Sequence, residues 1–217
     1  MMSLCFSGCS ITWGDELKNR YQERYSTIVS KHYDCRHFNL SQCGISNDSI
    51  VRTTINNLEN LSAKPDVVVM QFTVHPRIEY FTDDDIIQNW TPQSVGKFDK
   101  CRNYYVSIYN EIIGNENMWK NIFLFDAYCK ANNQKYVSFI ADHFERIVVK
   151  PEKYYNNGEG YWKKMCGDYN PNFLQYHWLG TSQECPQHYA LGEKGGHPSA
   201  KGHKKMAEKV IELIDAI

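Results

Sequence analysis

Nothing in the chain approaches the run of about 20 apolar residues that a membrane-spanning helix needs, and its first residues enter a strand pattern without the basic and hydrophobic regions of an export signal. A soluble, cytoplasmic protein with no membrane contact is the expectation. Charge of one sign is also lacking: 24 Lys and Arg stand against 25 Asp and Glu, a net charge of −1. No broad basic surface is therefore expected for nucleic acid or an anionic bilayer, and a small or neutral ligand suits this balance better. The eight cysteines form no CxxC pair, so reduced thiols are expected, with neither a disulfide framework nor a zinc site. The first strand exit carries neither G-x-G-x-x-G nor the phosphate-loop glycine pattern, which argues against a nucleotide-binding protein.

What is present is an alternation of short apolar runs and helical periods over 217 residues, a length suited to one domain, 1–217. Residues 3–7 form a first strand, and Leu17, Tyr21, Tyr25, Ile28 and Val29 mark a helix face over Asp15–Tyr33. His37–Leu40 is a second strand, followed by a helix that Ser46 or Asn47 caps. Val67–Phe72 is a continuous apolar run of the kind found in a central parallel strand covered on both faces. The segment 83–133 reads as mainly helical, Tyr136–Ile140 as a strand, and Pro198–Ile217 as the closing helix, with Met206, Val210, Leu213 and Ile214 inward. Residues 144–196 break this rhythm and read as a long irregular insertion; Tyr154, Tyr155, Tyr161, Trp162, Tyr169, Tyr176 and Trp178 either anchor it or stack on a substrate. Strands alternating with helices predict a three-layer α/β/α sandwich around a flavodoxin-like parallel sheet of about five strands.

Such a sheet gathers its strand exits along one edge, and the chemistry-bearing residues lie there. Ser10 follows the first strand, Gly44–Asn47 the second and Thr73–Arg77 the third, while His197 precedes the closing helix. Each has a plainer reading: Ser10 as a turn residue, His197 as a helix cap before Pro198, and Arg77 paired with Glu79 or Asp83 on the surface. His203 reads as a packing or surface residue rather than a metal ligand, and no metal is expected.

Phe6-Ser7-Gly8-Cys9-Ser10-Ile11-Thr12-Trp13-Gly14 resembles the first block of the SGNH (GDSL-like) hydrolases, Asn39–Asn47 is similar to their second, and His197-Pro198-Ser199-Ala200-Lys201-Gly202-His203 resembles their last. The resemblance implies the SGNH fold and a serine esterase that needs no cofactor: Ser10 as nucleophile, His197 as base, and the backbone N–H groups of Ser10 and Gly44 as oxyanion donors, with Asn47 beside them. Its substrates would be carboxylic esters, among them O-acetylated carbohydrates and short acyl esters, as a small molecule or a glycan. Acyl transfer to a sugar would use the same residues. The chain departs from the pattern at three points. Cys9 replaces the aspartate before the serine. Lys194 occupies the place of the acid, leaving Glu193 as the substitute. Phe72-Thr73-Val74-His75 replaces Gly-x-Asn-Asp, leaving Thr73, His75 and Arg77 as candidates for the remaining donor. A degenerate domain that binds without catalysis is the alternative these departures favour. Thr12 stands where the α/β-hydrolase elbow Gly-x-Ser-x-Gly requires glycine, which sets that fold aside.

Overall fold

The molecule is built on a five-stranded sheet, seen in a computed structural model that describes residues 2–82, 87–142, 172–175 and 197–217. Its strands are β1 (Ser3–Ser7), β2 (Arg36–Asn39), β3 (Val67–Phe72), β6 (Tyr136–Asp142) and β7 (Asn172–Gln175), in the order β2-β1-β3-β6-β7 and all parallel. This is the flavodoxin-like order, in which the chain winds one way from β1 to β2 and then reverses through β3 to β7. The register pairs Cys5 with both Phe38 and Val68, and Phe72 with Ile140.

Right-handed crossovers distribute the helices over both faces. On one face α3 (Tyr25–His32) packs against the closing helix α7 (Ala200–Asp215); on the other, α4 (Asn47–Asn60) packs against α6 (Glu111–Ala131). The three-layer sandwich read from the sequence is the observed architecture. All six residues of β3 are buried, as a strand at the middle of a doubly covered sheet requires. Leu4 and Phe6 of β1, Tyr25 of α3, Ile50 of α4, Ile122 and Phe125 of α6, Phe139 of β6 and Met206 and Val210 of α7 fill the core. Ser46 caps α4 by accepting the Ser49 N–H at 3.3 Å, and Ser199 caps α7 by accepting the Gly202 N–H at 3.3 Å. His197 is therefore not the helix cap.

Three elements differ from the sequence reading. The single helix expected over Asp15–Tyr33 is broken: α1 (Ser10–Trp13) starts directly at the strand exit, a turn through Gly14 and Glu16 follows, and α2 (Arg20–Glu23) precedes α3. Left-handed φ at Gly14 and Glu16 and an extended Arg24 interrupt the helical path. The start of the region read as helical holds β5 (Ile87–Trp90) instead, which pairs antiparallel with β4 (Ile78–Phe81) ahead of α5 (Asp99–Asn103) and α6. Within 144–196, Asn172–Gln175 is not irregular but adds β7 to the edge of the sheet beside β6. No helix among the described residues is long and apolar enough to cross a membrane.

Candidate active site

Ser10 leaves β1 after Gly8 and Cys9, and buried polar side chains from the neighbouring strands hold this exit in shape. Gln71 of β3 accepts the Cys9 N–H at 3.1 Å and the Thr12 hydroxyl at 2.9 Å through one oxygen. Asn39 of β2 donates to the Thr12 carbonyl at 3.1 Å. The Tyr25 hydroxyl lies 2.8 Å from that of Thr12. Ser10 itself is 4% exposed, and it opens α1, where a backbone N–H has no carbonyl partner within the helix.

The end of α1 turns back onto the same residue. The Ser10 carbonyl accepts the N–H groups of Gly14 at 2.9 Å and Asp15 at 3.0 Å. Gly14 has φ +83°, and a side chain there would meet Arg24 Cβ at 2.9 Å, so glycine is required twice over. Asp15 and Glu16 emerge from this turn beside the start of the closing segment.

His197 arrives from the other end of the chain. Its Nε2 lies 2.8 Å from Ser10 Oγ and its Nδ1 lies 3.1 Å from Glu16 Oε1. Asp15 Oδ2 stands 3.9 Å from Nε2. A carboxylate facing Nδ1 favours the tautomer with the proton on that nitrogen, which leaves the Nε2 lone pair to accept the Ser10 hydroxyl. Glu16 is 11% exposed and the imidazole 20%, so the pair is partly shielded from water.

The loop after β2 reaches the same edge. Its Leu40 N–H donates to the Phe6 carbonyl at 2.8 Å and its Gln42 N–H to that of Gly8 at 3.2 Å. Cys43 is exposed on this loop, and its thiol is pushed up to about 11, first by partial burial and then by the nearby Asp15 carboxylate. Gly44 follows with φ +77° and open space where a side chain would stand, so conformation rather than crowding calls for glycine.

Asn47 and Thr73 are bound to each other. The Asn47 side chain accepts the Thr73 N–H at 2.8 Å and donates to the Thr73 carbonyl at 3.0 Å, which ties α4 to the exit of β3. Both faces of the Asn47 amide are thereby engaged, and the Thr73 backbone donor is taken. Arg77 does not pair with Glu79. Its Nη1 donates to the Ile45 carbonyl at 3.4 Å, while Glu79 is held by Arg52 and Ser49. The Arg77 guanidinium also acts on buried Cys9: burial raises that thiol, but Arg77 and hydrogen bonds from Thr73, Ile11 and Gln71 bring it below its ordinary value. His75 is buried against Tyr109 and Gly114, with its Nδ1 unpartnered. Burial, opposed in part by Glu111, lowers it to about 4 and keeps the ring neutral at pH 7.

Glu193 lies outside the described residues. Asp15, Glu16 and Gln71 were not singled out from the sequence. Among the described residues no group of three His, Cys, Asp or Glu side chains is placed to hold a metal, and the six described cysteines are free.

No family pattern and no curated protein matches the chain by sequence. Solved structures do. A lipolytic protein of the G-D-S-L family from Desulfitobacterium hafniense DCB-2 superposes with TM-score 0.58 at 10% identity, over 98% of this chain and 99% of that one. The psychrotrophic esterase EstA from Pseudoalteromonas sp. does so with TM-score 0.56 at 12% identity, over 99% and 100%. A carbohydrate esterase family 2 enzyme with a carbohydrate-binding domain, from Corynascus thermopiles, gives TM-score 0.61 at 11% identity, over 99% of this chain and 66% of its own. With its strand order, its helical layers and these likenesses, the chain has the SGNH (GDSL-type) hydrolase fold.

Proposed function

We propose that the protein is a serine esterase that cleaves a carboxylic ester through an acyl-Ser10 intermediate. The observation that carries this reading is the 2.8 Å contact between Ser10 Oγ and His197 Nε2, made by residues 187 positions apart. A free serine hydroxyl is a weak nucleophile at neutral pH, and an imidazole within hydrogen-bond reach is what activates it. Ser10 Oγ attacks the acyl carbon as its proton passes to Nε2. The oxyanion is met by the N–H groups of Ser10 and Gly44, donors of a kind worth about 3 kcal/mol each in the transition state. Collapse returns the proton from His197 to the departing alcohol. Water then enters, gives a proton to the same nitrogen, and releases the acid by the reverse geometry.

Short acyl esters and O-acetylated carbohydrates are the substrate classes we assign. The likenesses to esterases and to a carbohydrate esterase support them. Within the Thr73–Arg77 loop the Thr73 N–H is bound by Asn47 and His75 is buried, so Arg77 is the residue left to meet the substrate with a polar contact. Turnover of p-nitrophenyl acetate by the wild type, Ser10→Ala and His197→Ala tests the reading. Wild-type turnover should exceed that of both variants by at least about 10³-fold, and equal rates in all three would refute it.

A further inference from the structure

We infer that Glu16 is the carboxylate that orients His197, so that the acid of the site comes from the turn behind the nucleophile. This rests on the esterase reading above and names a residue for it. In a serine–histidine site the third member holds the imidazole in one tautomer and stabilises the imidazolium that forms as Ser10 loses its proton, without taking a proton itself. Glu16 meets the geometric demand: its Oε1 faces Nδ1 at 3.1 Å while Nε2 faces Ser10 at 2.8 Å, so one ring bridges carboxylate and hydroxyl.

The backbone that presents Glu16 is built for that placement. Gly14 and Asp15 both donate to the Ser10 carbonyl, which fixes the turn to the nucleophile residue. Glu16 then takes φ +65°, a left-handed conformation that a non-glycine residue adopts only at a steric cost. Its side chain is nine-tenths buried against the imidazole, whereas Asp15, at 46% exposure and 3.9 Å from Nε2, sits on the wrong side of the ring to set its tautomer. Nucleophile and orienting acid therefore lie six positions apart on one short, hydrogen-bonded unit, and His197 is the only member of the three brought in from afar. Lys194, at the position where the resemblance places an acid, then needs no carboxylate substitute beside it.

Glu16 acts through His197, so the test must read orientation and not binding. Glu16→Gln keeps the shape of the side chain but can hydrogen-bond the ring in either tautomer. Its kcat on p-nitrophenyl acetate should fall about 10²–10⁴-fold with KM within about twofold, and Glu16→Asp should recover part of the loss. Glu16→Gly, which suits the left-handed backbone, should lose as much kcat as Glu16→Gln and covers the case in which the amide variant does not fold. Wild-type kcat in the folded Gln or Gly variant, with Ser10→Ala inactive, would overturn this inference and leave the esterase standing. A wild type no faster than Ser10→Ala would instead remove the esterase reading.

Discussion

Gln71 shapes the surroundings of Ser10, because one buried side-chain oxygen accepts both the Cys9 N–H and the Thr12 hydroxyl on either side of it. Gln71→Leu roughly keeps the volume but strands the Cys9 N–H, takes the amide donor from the Phe72 carbonyl and leaves the Thr12 hydroxyl with Tyr25 alone, at about 1–3 kcal/mol for each stranded group. We expect a loss of about 2–4 kcal/mol in urea unfolding and a lower kcat, since the strand exit that aims Ser10 is no longer tied. At this scale the contiguous motifs were readable: Ser10, Gly44 and His197 each sit in a short segment whose neighbours announce a turn or a helix start. The pairing of Asn47 with the Thr73 backbone was not readable, because it joins the start of α4 to a strand exit 26 positions away. Glu16 escaped notice for a related reason. Its partner lies 181 residues away, and nothing local distinguishes it from a surface glutamate.

Among the elements, the turn between α1 and α2 matters most to the site. Leu17, Tyr21, Tyr25 and Ile28 carry a helical spacing that predicts a continuous helix from Asp15, yet Tyr21 is 63% exposed and the regular core-facing helix begins only at Tyr25. The period is real, but the left-handed Glu16 delays the start of the helix and the extended Arg24 breaks it between Tyr21 and Tyr25, and periodicity of side chains carries no information on such backbone turns. Gly14→Ala tests the importance of the break. A methyl at φ +83° pays the left-handed penalty and presses on Arg24 Cβ, so stability should fall by about 1–3 kcal/mol. Because the Gly14 and Asp15 N–H groups anchor the turn to Ser10, kcat should fall as well, a combination that differential scanning calorimetry and steady-state kinetics would reveal together. β7 was hidden for another reason: four residues inside a Gly-, Tyr- and Asn-rich stretch show no alternation long enough to separate a strand from a loop, and only pairing with β6 defines it.

At the scale of the whole molecule, two buried histidines, His203 and His75, set the expected dependence of stability on pH. His203 of α7 is fully buried, accepts the Tyr25 N–H at 3.2 Å through Nδ1 and stacks on the Tyr25 ring. Burial, reinforced by nearby His197, lowers it to about 3, and burial lowers His75 to about 4. Unfolded histidine titrates near 6.5. Below that value the unfolded chain binds protons that the native one refuses, so stability is complete above about pH 6.5 and declines as the pH falls toward the folded values. At pH 5 each histidine costs at most about 2 kcal/mol. Tm should drop between pH 7 and pH 5, and His203→Gln should flatten that dependence; a steeper dependence in the variant would contradict the assignment. The sheet order, in turn, was legible from the alternation of apolar runs and helical periods, since parallel strands with right-handed crossovers allow few arrangements. That topology brings the two ends of the chain together, and the account stands on what they form. Mass spectrometry of the folded protein after exposure to a fluorophosphonate measures it most directly. The account predicts one phosphonyl group per chain on the peptide bearing Ser10, none on that peptide in Ser10→Ala, and strongly slowed addition in His197→Ala. An unlabelled wild-type Ser10, or equal labelling with and without His197, would contradict it.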